Sequence, residues 1–169
     1  MRTLPDYLRK GMRLVMVGCN PGDRSARVGH YYAGRGNMFW PLLYESGIVP
    51  ELLAYQEDRR LLEFGIGLTD LVKRPSRAAE EIERHEFAEG RVLLAQKLTE
   101  LQPKMVAFNG KMTYEWFAGR PCALGAQPTP LYGAKVFVLP STSGRNAGAD
   151  RGVKMRYFRE LAELLRRVN

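Results

Sequence analysis

Four short apolar runs, each closed by a turn and set apart from the next by a helix-like stretch, constrain this chain more than any other feature. They lie at 14–17 (Leu14-Val15-Met16-Val17), 65–72, 104–108 and 135–139. An apolar run of this length without alternation is the pattern of a strand buried on both faces. The run at 65–72 is the weakest, because Gly65 and Gly67 interrupt it. Helical stretches are expected at 38–45, 78–101, 111–118 and 155–168. Asn37 suits a cap for the first, Gly47 closes it, and Pro41 is tolerated near its start. The second reads as two pieces meeting near Gly90 and is stopped by Pro103. The stretch 119–133 is rich in glycine and proline and reads as an irregular excursion.

Strands joined through helices run parallel, because a parallel pair needs a long crossover. The expected class is therefore α/β: a three-layer α/β/α sandwich in one domain over 1–169, with a central four-stranded parallel sheet. In such sheets ligands bind beyond the carboxyl ends of the strands. The turns expected there carry Asn20, Asp70, Asn109-Gly110 and Ser141-Thr142-Ser143-Gly144-Arg145.

Composition narrows the partner. At 169 residues the net charge is +8, which favours a polyanion. The two cysteines, Cys19 and Cys122, and the two histidines, His30 and His85, are too scattered for a structural zinc site. No GxGxxG follows a strand and no GxxxxGK[ST] occurs, which sets nucleotide cofactors and phosphoryl transfer aside. The start lacks the apolar stretch of a signal peptide, and no segment approaches the roughly 20 apolar residues of a membrane span. The expected setting is a reducing, cytoplasmic one, with no membrane partner.

Two neighbouring motifs carry the chemistry. In Gly18-Cys19-Asn20-Pro21-Gly22 the glycines and proline hold the amide of Asn20 in one shape. Such an amide suits holding a water by its carbonyl oxygen or donating to a base; it equally suits completing a turn. The glycine-rich stretch 29–37 then presents Tyr31 and Tyr32, of which one ring suits stacking on a base and the other packing inward. An amide beside a ring fits a flat, polar, uncharged heterocycle. His30 suits a structural role or a phosphate contact. Ser141, Ser143 and the amides around Gly144 suit a phosphate cradle, and Arg145 at the tip suits entering a duplex; an ordinary serine-rich loop has the same composition. Asn109-Gly110-Lys111 repeats the phosphate logic at a helix start. Asp70 is a carboxylate at a strand end, suited to capping the next segment or to facing the pocket.

These residues resemble the mismatch-specific uracil/thymine DNA glycosylases of the uracil-DNA glycosylase superfamily. The resemblance rests on GCNPG (18–22), GHYYAGRGNMFW (29–40), FGIGLTDLVKRP (64–75), FNGKMTYEWF (108–117) and LPSTSGR (139–145), which occur in the family's order. It implies cleavage of the bond between base and deoxyribose in double-stranded DNA bearing G:U mismatches or related lesions, by a monomer, with no metal or cofactor. It implies that Asn20 positions the hydrolytic water, Tyr32 stacks on the extruded pyrimidine, and Ser25 sits near the 5-position of the base. Cys19, Pro21 and Gly22 match pocket backbone beside the base, and Asn37 closes the aromatic motif. Ser141, Ser143, Gly144 and Arg145 match the loop that grips phosphates and wedges the helix; Lys111 joins them as a DNA contact. Cys19 stands where isoleucine is common, and Asp70 where thymine-acting relatives carry asparagine, so Asp70 is expected to share the catalytic role with Asn20 or to widen the substrate range. A non-catalytic binder of damaged DNA and an enzyme acting on a free nucleoside are the rival readings.

Overall fold

The computed structural model describes residues 3–144 and 150–168. The expected apolar runs become strands β1 (Leu14–Gly18), β2 (Ile66–Asp70), β3 (Met105–Asn109) and β5 (Lys135–Leu139), with β4 (Gly125–Ala126) between the last two in sequence. The sheet order is β2-β1-β3-β5-β4. The four longer strands pair in parallel and β4 pairs with β5 antiparallel, so the sheet is five-stranded and mixed rather than four-stranded and all parallel. The fifth strand is two residues long and lies in the Gly/Pro-rich excursion, where no apolar run announces it.

Strand periodicity divides the core in two. Leu14, Met16, Ile66, Leu68, Met105, Ala107, Phe137 and Leu139 pack on one side with α2 (Phe39–Glu45) and α5 (Arg151–Arg166). Val15, Val17, Val106, Phe108, Val136 and Val138 pack on the other with α3 (Arg84–Leu101) and α4 (Lys111–Ala118). Side chains of period two thus feed both faces, which is why the runs are apolar without alternation. The outer edge of β2 is covered in part by the N-terminal segment: the Tyr7 and Leu68 backbones exchange N–H···O bonds of 3.0 and 2.9 Å.

Helix α3 corrects the expectation of a break at Gly90. It runs unbroken through that residue, after a separate 3-10 turn at Ala79–Glu81. A Cβ on Gly90 would lie 2.1 Å from the Leu71 carbonyl oxygen, so the glycine serves the close approach of helix to loop. Two further elements lack a sequence signal: α1 (Asp23–Val28), and a 3-10 stretch over Tyr55–Phe64. Helix α5 starts earlier than the expected 155, at an Asp150 cap whose side chain accepts from the Val153 N–H.

Candidate nucleic-acid interface and active cavity

The carboxyl ends of four strands meet at one place. Gly18 stands in register with Asp70, and Asn109 with Leu139. β1 sits between β2 and β3: the chain passes from β1 to β2 on one side and then crosses back to β3 on the other. A cleft at such a switch point is where ligands enter open α/β sheets. A cavity of about 830 Å³ opens there. Cys19, Asn20, Pro21, Gly22, Ser25, Tyr32, Asn37, Asp70, Lys111, Ser141, Ser143 and Gly144 all line it. Arg145 lies outside the described residues.

Asn20 is held by the loop that follows β2. Its Nδ2 donates to the Arg74 carbonyl at 2.9 Å and to Ser76 Oγ at 2.8 Å. The Ser76 hydroxyl spends its proton on the Ala78 carbonyl, 2.7 Å away, so toward Asn20 it acts as acceptor. Both partners accept, so the nitrogen end of the amide must face them. The carbonyl oxygen is thereby left for other partners. The loops are also stitched through backbone: Leu71 N–H to Gly18 O, Val72 N–H to Cys19 O, and Ser76 N–H to Pro21 O, at 2.8, 2.8 and 3.1 Å.

Asp70 and Tyr32 share one wall. A Cβ on Gly18 would meet Asp70 Oδ1 at 2.5 Å and the Tyr32 hydroxyl at 2.9 Å, so only glycine fits between them. Asp70 is 5% exposed, and its Oδ2 and the Tyr32 hydroxyl are buried polar atoms with no hydrogen-bond partner among the described residues. Such atoms are rare in a fold, because a buried polar group left unpaired costs free energy. Burial pushes the Asp70 carboxyl up to about 7; Lys73 and Lys97 pull it down, and Asp6 pushes it further up. Burial, with the charge of Asp70 behind it, also raises the Tyr32 phenol well above its ordinary range, and it raises the Cys19 thiol to about 12. Cys19 is thus a neutral thiol at physiological pH rather than a nucleophile.

The Tyr32 backbone has φ +55°, a left-handed conformation unusual for an aromatic residue. Its neighbours hold it there. The Tyr31 N–H donates to Asp58 Oδ2 at 2.9 Å, and the Tyr31 carbonyl accepts from Trp40 Nε1 at 3.1 Å. The Ala33 N–H donates to Ser25 Oγ at 3.0 Å, and the Ala33 carbonyl accepts from Arg24 Nε at 2.9 Å. Ser25 therefore anchors this loop as well as lining the cavity. The Tyr32 ring stacks on Phe39 with centroids 4.0 Å apart. Tyr31 is the inward-packing ring, 1% exposed, its hydroxyl donating to the Pro5 carbonyl at 2.7 Å. His30 lies 3.1 Å from buried Asp58, which gives it a structural partner. Asn37 accepts from the Phe39 N–H at 3.0 Å, but the helix starts one residue later than expected, so Met38 and not Asn37 holds the cap position.

The opposite rim is the loop after β5. Asn109 Nδ2 donates to Thr142 Oγ1 at 2.9 Å, and the Thr142 N–H donates to Asn109 Oδ1 at 3.0 Å. This two-point clamp holds fully buried Thr142 between Ser141 and Ser143. A Cβ on Gly144 would lie 3.0 Å from the Arg35 carbonyl, so the two rims touch through glycine. Lys111 begins α4 and is exposed at the cavity edge.

Sequence reasoning passed over Ser76 and the clamping role of Asn109. Their partners lie 56 and 33 residues away, and nothing local signals them. The polar residue just after Lys73-Arg74-Pro75, beyond a strand end, was the available hint for Ser76. Among the described residues no group of three His, Cys, Asp or Glu side chains is placed to hold a metal ion, and no helix is long and apolar enough to cross a membrane.

A mainly parallel sheet between helices, with a cavity at its switch point and lysine and serines on the rim, defines the class: an α/β protein with a cleft at the strand ends, where such folds bind ligands. Residues 5–166 match the model of the Uracil DNA glycosylase superfamily, and the chain belongs to that superfamily, whose members are DNA glycosylases. It is also similar to a solution NMR structure from Methanosarcina acetivorans that carries the description "putative Uracil DNA glycosylase". The TM-score is 0.66 and the identity 24%, over 96% of this chain and 98% of that one. That likeness concerns the fold.

Proposed function

We propose that this protein is a monomeric, monofunctional glycosylase that removes uracil, above all uracil opposite guanine, and related damaged pyrimidines from double-stranded DNA. The observation that carries the reading is the shared cavity. Asn20, with its amide nitrogen tied back, stands in it with buried Asp70 and with Tyr32. The net charge of +8 supports a polyanionic partner.

In this reading Lys111, Ser141 and Ser143 neutralise or bond phosphates along the rim. Arg145 fills the space vacated by the extruded base. A uracil mispaired with guanine leaves the stack at lower cost than a paired base. Tyr32 stacks on it, a contact worth roughly 1–3 kcal/mol. The backbone around Cys19, Pro21 and Gly22 meets its edge, with Ser25 near the 5-position and Asn37 shaping the loop.

The C1′–N1 bond then breaks. Its electron pair leaves with uracil, and positive charge develops on the sugar. Backbone donors stabilise the leaving anion. Ionised Asp70 stabilises the sugar cation. The Asn20 carbonyl oxygen holds the attacking water, whose oxygen bonds to C1′ and whose proton passes to Asp70. Asp70 then gives that proton up to solvent and the uracil anion takes one up, so the products are free uracil and an abasic site. An amide is too weak a base to do this alone, so the reaction depends on a good leaving group and on the carboxylate.

The test is incubation with a duplex bearing one G:U pair, read by free uracil and by alkaline strand cleavage. Both signals are expected. Tight duplex binding without free uracil places the protein with non-catalytic binders instead. Cleavage of a free nucleoside that duplex DNA does not compete places it with small-molecule enzymes.

A further inference from the structure

Behind Asp70, on the side away from the cavity, lies a cluster of charges that the proposed reaction does not use. Asp70, Lys73 and Lys97 line a second hollow of about 240 Å³ between the end of β2 and α3. Asp70 therefore borders both spaces. Asp6, from the N-terminal segment, holds both lysines: Oδ1 accepts from Lys73 Nζ at 2.5 Å and Oδ2 pairs with Lys97 Nζ at 2.6 Å. Thr69, the residue before Asp70, donates to the same Oδ1 at 2.7 Å. Lys73 is pinned further by the Leu4 carbonyl at 3.2 Å and the Tyr31 hydroxyl at 3.4 Å.

We propose that Lys73 and Lys97, fixed by Asp6, are positioning residues that keep Asp70 charged from behind the cavity. The inference rests on the reading that Asp70 acts as a carboxylate. A carboxylate this deeply buried tends to take a proton and lose that role. One Asp between two Lys leaves this trio with one uncompensated positive charge beside Asp70. There it stabilises the carboxylate without occupying the substrate's space. The other titratable groups coupled to Asp70 are Cys19 after β1 and Tyr31 and Tyr32 from the loop before α2; all three are raised, and so stay neutral. Three further charges line the same hollow: Arg74 and Glu86, which pair with each other at 2.6 Å, and exposed Glu89. The lysines and Asp6 are the charges coupled most strongly to Asp70 from this side. Asp6 itself is pushed up by burial, but the hydrogen bonds from Lys73 and Lys97, the Lys73 charge and the Thr69 hydroxyl hold it below the ordinary carboxylate range.

The opposite signs of the charges supply the test. Single-turnover excision from the G:U duplex at saturating protein, followed from pH 5 to 9, gives the midpoint of the rising limb. The Asp70 carboxyl carbon, titrated by NMR in labelled protein and assigned with Asp70→Asn, gives the same midpoint without activity. Lys73→Met and Lys97→Met are expected to move both midpoints up by roughly half a unit or more, and Asp6→Asn to move them down. Lys97→Arg restores the wild-type value. General damage to the fold does not shift one midpoint in opposite directions according to the charge removed. Lys97 is about a third exposed on a helix, so its variants stay folded if those of Lys73 do not. Unmoved midpoints for Lys97→Met and Asp6→Asn overturn this inference while leaving Asp70 in its role. Full excision by Asp70→Asn with an unchanged profile overturns the role itself.

Discussion

The Tyr32 hydroxyl and the Asp70 carboxylate close on the same backbone point, 2.9 and 2.5 Å from where a Gly18 Cβ would stand. Ring and acid are thus spaced by the absence of one side chain. Gly18→Ala pushes them apart. It is expected to lower uracil excision about 100-fold, as a displacement near 1 Å does. Overpacking at this site costs about 1–3 kcal/mol of stability. Single-turnover rates and urea melts check both figures. A rate within threefold of wild type contradicts the shared wall.

Asp70 links pH to stability with a definite sign. Burial raises its folded value to about 7, above the unfolded 3.8. The folded state therefore binds more protons than the unfolded one between these limits. The contribution is intact below pH 4 and is lost as pH rises through 7. Asp70→Asn is expected to match wild type in stability near pH 4 and to exceed it near pH 8, by an amount of order 2–4 kcal/mol. Excision by wild type rises over the same range. Denaturant melts at the two pH values decide the first point; equal stability differences at both contradict it.

Gly90 shows how far a local rule carries. Alanine in a helix interior is ordinarily about 1 kcal/mol better than glycine. Here its Cβ would sit 2.1 Å from the Leu71 carbonyl, a backbone atom with little room to retreat. Gly90→Ala is expected to destabilise by at least about 1–3 kcal/mol. A rise in melting temperature would refute the close approach.

The four parallel strands are legible in the sequence because both faces of each are buried, which writes a continuous apolar run. The turn residues follow from them, since strand ends define where a ligand enters. Gly90 is misread because a glycine placed for packing looks like a glycine placed for a bend. β4 and α1 are too short to carry a period. The clamps on Asn20 and Thr142, and the Asp6–Lys73–Lys97 cluster, join residues 33 to 91 positions apart, so only the folded chain reveals them.

Ser76 fixes which end of the Asn20 amide points away from the loop. Ser76→Ala leaves the Arg74 carbonyl as the remaining short partner. The amide then gains freedom to turn, and excision is expected to fall about 10-fold at saturating protein with little change in DNA affinity. Binding and single-turnover assays run together check this. An unchanged rate removes Ser76 from the catalytic machinery.

The central claim is that Asn20 and Asp70 together bring water to a base turned into the cavity. The most direct measurement is release of uracil from a G:U duplex by the Asn20→Ala, Asp70→Ala double variant, with duplex binding measured alongside. Binding is expected to persist while excision falls by roughly 1,000-fold or more relative to wild type. Excision by the double variant at the wild-type rate would contradict the claim.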